Sequence, residues 1–174
     1  MMITIISATN RPNSNTAKVS RHYIQLMEKQ GVECKLLSLE NLPRDFAFAE
    51  LYGSRSEKFQ QLLEEYLIPA QKFVFIVPEY NGSFPGILKT FIDAVHPDIN
   101  RGKKVALIGI SSGRAGNLRG MDHLTGILHY LGMHVHPNKL PVSGILSLLD
   151  ADGEIKDEGT KKALEKHALD VMSF

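Results

Sequence analysis

Short apolar runs alternate along this chain with segments whose apolar residues recur every three to four positions. The runs cover residues 3–7, 32–39, 72–77, 103–110 and 133–136. Continuous apolar runs of this length are typical of strands buried on both faces, as in parallel sheets covered by helices. The pattern therefore predicts five parallel strands.

The segments between and after these runs have the spacing of helices with one apolar face. They begin near Thr16, at Ser54 or Ser56, at Phe84, at Leu118 and near Thr160. Gly31 and Gly132 stand where the first and fourth of these helices should end, because glycine is the usual residue after a helix C-terminus. Residues 40–53 contain several turn-forming residues and are predicted to be a loop.

Strands that alternate with helices in this way join by right-handed crossovers into an open sheet with helices on both faces. The predicted fold class is α/β, a flavodoxin-like three-layer sandwich with a five-stranded parallel sheet in the order 2-1-3-4-5. Ligands of such sheets bind outside the carboxyl ends of the strands, where the first and third strands meet. Loops 8–15 and 78–83 follow those two strands, so this is the place to look for a site.

The first of these loops has the composition of a phosphate site. It places hydroxyl, amide and guanidinium groups before a helix N-terminus, where free N–H groups and the helix dipole attract anions. The candidate ligands are Thr9, Arg11, Ser14, Asn15 and Thr16. A solvated loop in which Ser14 caps the helix would explain the same residues. Neither the Gly-x-Gly-x-x-Gly fingerprint nor the P-loop lysine motif follows the strand.

The second loop offers what a flat aromatic ring needs. Its residues are Pro78, Glu79, Tyr80, Asn81 and Gly82. They supply backbone polar groups on a stiff support, a tyrosine that can stack, and a glycine that permits close approach. A turn whose tyrosine covers the edge of the core is the simpler alternative.

A third polar segment follows the fourth strand. Ser111, Ser112 and Gly113 stand there, with Arg114 beside them. A capping turn and a surface charge explain these residues singly, but three such loops at one edge of a sheet indicate a common site.

Composition narrows the functional classes. The chain has 174 residues, 43% of them hydrophobic, which suits a single domain over residues 1–174. A formal net charge of +1 without a Lys/Arg cluster argues against a nucleic-acid partner. We also expect no membrane partner and a cytoplasmic location, because neither a signal-like N-terminus nor a bilayer-length apolar run is present.

Three motifs resemble those of the NADPH-dependent FMN reductases, a flavodoxin-like group that includes azoreductases, quinone reductases and chromate reductases. Residues 8–14 resemble the phosphate-loop pattern G-S-x-R-x-x-S, residues 78–89 match every fixed position of P-E-Y-N-x-S-x-P-G-x-L-K, and residues 111–119 resemble S-x-G-x-x-G-G-x-R. Three residues depart from the patterns: Ala8 and Asn117 replace glycines, and Thr9 replaces a serine. These changes bear on affinity and substrate preference more than on fold or cofactor.

The resemblance implies bound FMN, with its phosphate on the first loop, its ring along residues 78–82 and residues 111–113 near the far edge. NADPH (or NADH) would donate hydride to the flavin, which would pass it to a small-molecule acceptor: a quinone, azo dye, metal oxyanion or free flavin. Because the flavin carries the chemistry, we predict no catalytic side chain.

We predict no metal site. His129, His134 and His136 include a pair on one strand face, but no carboxylate or cysteine lies near them in sequence. The resemblance also implies a homodimer or homotetramer. The residues proposed for the subunit contact are Ile87, Phe91, Val95, Met121 and Leu128.

Two other functions remain open. A flavodoxin-like electron carrier would bind FMN without reacting with NADPH, although such carriers tend to be acidic. A regulatory module with a decayed flavin site is the third class, and the intact second motif argues against it.

Overall fold

A computed structural model describes residues 2–52 and 55–174 and contains one parallel sheet. Its strands are β1 (Ile3–Ser7), β2 (Cys34–Ser38), β3 (Lys72–Pro78), β4 (Lys104–Ile110), β5 (His134–Val135) and β6 (Leu140–Val142). The order β2-β1-β3-β4-β5 confirms the predicted order, with β6 as an additional strand. The first and third strands are therefore neighbours, paired from Ile3 with Lys72 to Ser7 with Ile76.

The fifth sheet position is divided between two short strands. β5 pairs with Lys104 and Val105, and β6 pairs with the later residues of the same strand, Ile108 to Ile110. The prediction of one strand over residues 133–136 missed β6. Pro137 cannot donate to the ladder, so the chain leaves the sheet there, while Pro141 is tolerated because β6 lies at the sheet edge.

Helices cover both faces of the sheet. They are α1 (Asn15–Lys29), α2 (Phe46–Ala49), α3 (Glu57–Leu62), α4 (Gly86–Ala94), α5 (Pro97–Asn100), α6 (Leu118–Tyr130), α7 (Ile145–Leu148) and α8 (Glu158–Ser173). A 3₁₀ turn spans Leu39–Asn41, and α3 continues into a π-helical turn, Leu63–Leu67. The predicted loop 40–53 thus contains α2, which sequence reasoning missed together with α5 and α7.

The ends of the helices follow the predicted chemistry. Gly31 and Gly132 have φ angles of 74° and 73° and follow the C-cap residues of α1 and α6, so each occupies the left-handed position that favours glycine. Ser56 caps α3 by accepting the Phe59 N–H at 3.1 Å. Ser54, the alternative cap, lies outside the described residues, as does Gly53.

Side chains of the central strands alternate between two apolar cores. Phe73, Phe75 and Val77 of β3 pack on the side that contains α4 and α6. Val74 and Ile76 pack on the other side, with α1 and α8. Burial on both faces explains the unbroken apolar runs and confirms the three-layer arrangement.

The first core also contains most of the residues expected at a subunit contact. Phe91, Val95, Met121 and Leu128 are buried within the chain itself. Ile87 is partly buried against the same core. Phe91, Met121 and Leu128 are therefore not available to a second subunit, whereas Val95 lines a groove between α4 and α6.

Two further features of the described residues bear on partners. Within residues 2–52 and 55–174, the helices are all too short or too polar to cross a bilayer. In the same part of the chain, His, Cys, Asp and Glu side chains form no group of three that could hold a metal ion.

Candidate functional site

A cavity of about 380 Å³ lies at the carboxyl edge of the sheet, between the loops that follow β1 and β3. Four segments line it: residues 11–16, residues 78–80, residues 110–112 and the start of α7. Nine of the thirteen predicted site residues are in the lining: Arg11, Ser14, Asn15, Thr16, Pro78, Glu79, Tyr80, Ser111 and Ser112. The structure therefore brings the three predicted loops together around one cavity.

The start of α1 forms one end of the cavity. The Ser14 hydroxyl oxygen accepts the Ala17 N–H at 3.1 Å, so the predicted cap is real. Its own O–H remains able to donate, because a hydroxyl both donates and accepts. The first turn of α1 has no acidic side chain, and Arg11 lies on the wall beside it. This end therefore suits an anion.

Thr9 lies outside the lining and connects two of the loops. It is 1% exposed, and its hydroxyl oxygen lies 2.9 Å from the Tyr80 hydroxyl and accepts the Arg11 backbone N–H at 3.2 Å. The threonine that replaces the family's serine thus holds Tyr80 against the first loop.

The second loop forms the side wall through a tight turn. Tyr80 and Ser83 exchange two backbone hydrogen bonds, of 2.9 and 3.1 Å, and the Glu79 N–H donates to the Ile110 carbonyl at 2.8 Å. The Glu79 and Tyr80 amides are thus engaged within the protein. Neither of these two amides is therefore free to donate to a ligand.

Asn81 and Gly82 shape that turn and do not line the cavity. Both have left-handed backbone angles, with φ of 52° and 78°. A Cβ on Gly82 would meet only the end of the flexible Arg119 side chain, at 2.9 Å, so the backbone angle is what favours glycine here.

Ser111 organises the third loop from within. Its hydroxyl donates to the Gly113 carbonyl at 2.9 Å and accepts the Gly116 N–H at 3.0 Å. Ser112 is exposed on the cavity wall, whereas Gly113 lies outside the lining. Of the three predicted residues in this loop, Ser112 is the one whose side chain has no structural hydrogen bond among the described residues.

The two departures from glycine have structural explanations. The Ala8 methyl group packs in the apolar core, so it does not obstruct the cavity. Asn117 has φ 61° immediately before α6, a left-handed angle that glycine and asparagine both tolerate. Its side-chain amide donates to the Val77 carbonyl at 3.0 Å and ties the third loop to the end of β3.

Five lining residues were missed by sequence reasoning: Pro12, Asn13, Ile110, Ile145 and Leu146. Pro12 and Asn13 belong to the predicted phosphate loop, so the loop itself was the signal. Ile145 and Leu146 begin a four-residue helix with no polar motif, and the sequence offers no comparable signal for them.

Comparison with known proteins identifies the family. The profile of the family described as NADPH-dependent FMN reductase matches residues 1–145. The chain belongs to this family. The predicted family, flavodoxin-like fold and FMN cofactor are thereby confirmed, and the chain is an oxidoreductase that uses FMN with NADPH or NADH.

Individual members of the family extend the comparison. An NAD(P)H-dependent FMN reductase of Pseudomonas aeruginosa is 28% identical over 167 residues, 92% of this chain and 88% of the relative. A 2-hydroxy-1,4-benzoquinone reductase of a Burkholderia species is 30% identical over 139 residues, 71% of this chain and 76% of the relative. The solved structure of a flavoenzyme NAD(P)H:(acceptor) oxidoreductase from Paracoccus denitrificans has a TM-score of 0.78 at 26% identity, covering 96% and 92%.

The residues of the cavity fit FMN. A helix start without acidic side chains and an arginine form one end, which suits the phosphate. Pro78 and Tyr80 also belong to the lining, and the ring of Tyr80 can stack on an aromatic ligand. Together these residues supply what a ligand with one anionic end and one planar end requires.

Proposed function

We propose that the chain binds FMN in this cavity and catalyses transfer of reducing equivalents from NADPH or NADH to quinone, azo, metal-oxyanion or free-flavin acceptors. The observation that carries the proposal is that the start of α1, which suits an anion, and residues 78–80, which begin the motif of residues 78–89, line one cavity. Bound FMN supplies the hydride-accepting and hydride-donating chemistry.

The protein's own residues would position and retain the cofactor. Arg11, Ser14, Asn15 and Thr16 would hold the phosphate through side chains and the free N–H groups of the first helical turn. Pro78, Glu79 and Tyr80 would support the ring, with Tyr80 fixed by Thr9. Ser112 would face the opposite edge, and Asn81, Gly82, Ser111 and Gly113 would hold the two loops in shape.

Quinones are the first acceptor class to test. A relative with 30% identity is named for reduction of a benzoquinone. Quinones accept a hydride equivalent directly, so no acid or base side chain has to be added to the predicted machinery. An acceptor screen under steady-state conditions would rank quinones against azo dyes, metal oxyanions and free flavin.

We propose that two copies of the chain form a homodimer, from which a homotetramer can be built. A groove of about 500 Å³ between α4 and α6 is lined by Ile92, Ile127 and Leu131. Tyr130 on its rim is 91% exposed, and the Lys89–Asp93 ion pair adds both signs of charge. This mixed-charge, apolar surface suits a second copy of itself.

Gel filtration with light scattering tests the subunit proposal. At micromolar concentration the wild type should elute as a dimer or tetramer, and Tyr130→Glu should shift it towards monomer. Tyr52→Glu, at another exposed tyrosine, is the matched control. A monomeric wild type would contradict the proposal.

Anaerobic mixing with NADPH tests the enzymatic proposal. Protein reconstituted with FMN should lose its visible flavin absorbance rapidly and regain it when a quinone is added. FMN that stays oxidised in the presence of NADPH and NADH would instead indicate an electron carrier. Protein that fails to take up added FMN would indicate a decayed site.

A further inference from the structure

Leu146 lines the cavity, yet no motif assigns it a role. It belongs to α7, and the family profile ends one residue before it, at residue 145. Leu146 is 71% exposed, although it is a large apolar residue on a cavity wall. Apolar surface at such a position is available for a ligand to cover.

The main chain around Leu146 is fixed to the third loop. Ser111 donates its N–H to the Val142 carbonyl, and Ile145 donates its N–H to the Ser111 carbonyl, both at 3.0 Å. Gly144 donates to the Gly113 carbonyl at 2.9 Å. These three bonds hold the start of α7 against the loop, so the wall at Leu146 is pre-formed.

The preceding side chain anchors the helix beneath. Ile145 is 3% exposed and packs in the core shared by α1 and α8. Successive residues on a helix point about 100° apart, so an anchored Ile145 leaves Leu146 directed away from that core. The exposure of Leu146 therefore results from defined local packing.

The order of the strands places Leu146 away from the phosphate end. The phosphate loop follows β1, residues 79–82 follow β3, and the third loop follows β4. α7 follows β6, which pairs with β4. Leu146 is thus separated from the phosphate loop by β3 and β4, and its apolar side chain suits the ring of the ligand rather than its phosphate.

We propose that Leu146 contacts the isoalloxazine ring of FMN and raises the affinity of the site for flavins. The inference rests on the proposed function, because it takes the cavity as the FMN site. It assigns a ligand-contact residue to a segment outside the family profile.

Binding of two flavins to two variants tests this inference. Leu146→Ala should raise the Kd of FMN and of riboflavin by the same factor, about tenfold, because both ligands carry the ring. Inhibition of FMN binding by inorganic phosphate should be unchanged. Leu169→Ala, at a leucine 45% exposed on α8 and outside the cavity, is the matched control and should leave all three values unchanged.

A fluorescence measurement gives a second readout that does not depend on turnover. The chain has no tryptophan, so Leu146→Trp and Leu169→Trp each introduce a single indole. Contact with the ring predicts stronger quenching by riboflavin at position 146 than at position 169.

The outcomes separate the inference from the proposed function. Equal flavin affinities for Leu146→Ala and the control, or equal quenching at the two positions, would overturn the ring contact and leave the FMN site intact. Weakening of FMN alone, with riboflavin unaffected, would place Leu146 at the phosphate and would also overturn it. A wild-type chain that binds neither flavin would overturn both proposals.

Discussion

Individual hydroxyl groups of the site have different roles, although each belongs to a polar loop that follows a strand. Ser14 caps α1, Thr9 holds Tyr80, and Ser111 holds the third loop. Sequence reasoning identified these residues because polar side chains cluster where ligands bind. It could not assign their partners, because a hydroxyl's partner depends on residues up to 71 positions away, as with Thr9 and Tyr80.

Arg11→Ala should distinguish the contribution of the phosphate to flavin affinity from the contribution of the ring. Loss of a charge-assisted hydrogen bond should raise the Kd of FMN about tenfold to a hundredfold, while riboflavin, which has no phosphate, should bind as before. Flavin fluorescence titration measures both. Arg21→Ala, at an exposed position on α1 outside the cavity, serves as the control. Equal weakening of the two flavins would show that Arg11 does not act on the phosphate.

Substitutions of Asn117 should separate its two contributions to stability. Asn117→Gly keeps the left-handed angle and loses the hydrogen bond to the Val77 carbonyl, which should lower the free energy of unfolding by about 1 kcal/mol. Asn117→Ala also adds backbone strain, so its loss should be larger by about 1 kcal/mol. Urea denaturation measures both. Equal stability of the glycine and alanine variants would contradict the role of the backbone angle.

At the scale of elements, the long periodic segments were predictable and the short ones were not. β1, β3 and β4 are buried on both faces, and α1, α4, α6 and α8 span at least nine residues each. In segments of this kind the spacing of the apolar residues can be recognised from the sequence. Helices of four residues, such as α7, complete little more than one turn, so no apolar period can develop. The division of the last sheet position between β5 and β6 depends on pairing with β4, which the local sequence does not encode.

The end of α8 depends on a lysine from the sheet. Lys72 is 6% exposed, and its ammonium group donates to the Val171 and Met172 carbonyls, both at 2.9 Å. Burial, and then the neighbouring Lys104, lower the pKa of Lys72. Removing the donor would leave these carbonyls, at the helix terminus, without this partner.

Lys72→Met should therefore lower the free energy of unfolding by about 1–3 kcal/mol. Lys162→Met, at an exposed position of α8, should change it by less than about 0.5 kcal/mol. Thermal or urea unfolding of the two variants makes the comparison. If both variants matched the wild type, Lys72 would not stabilise the helix end.

At the scale of the whole molecule, the sequence predicted the architecture because its signals agreed. Apolar runs, helix periods and loop chemistry all indicated one doubly wound sheet with a site at the β1–β3 switch point, and the structure has that sheet and a cavity at that point. The second wall of the cavity, from α7, could not be predicted, because it arises where a distant segment returns to β4 through β6.

Stability of the whole chain should decrease in mild acid because of His167. This side chain is buried, its Nδ1 lies 2.9 Å from the Tyr23 hydroxyl, and its Nε2 has no partner among the described residues. Burial first, and then His136, lower the pKa of His167 from 6.5 to about 4, while Asp170 and the Asn138 backbone oppose the shift. The unfolded chain therefore binds a proton between these pH values that the folded chain does not.

The contribution of neutral, buried His167 to the free energy of unfolding is fully present above pH 6.5 and is lost as the pH falls towards 4. The loss is on the order of 3 kcal/mol over this window. Urea denaturation at several pH values should show a steeper fall for the wild type than for His167→Gln. Parallel curves for the two proteins would contradict the assignment.

A crystal structure of the chain grown with FMN is the most direct test of the account. The phosphate should lie at the start of α1, in contact with Arg11 and the N–H groups of residues 14–16, and the ring should lie along residues 78–80. FMN bound elsewhere, or bound in the reverse direction with its ring at the start of α1, would contradict it.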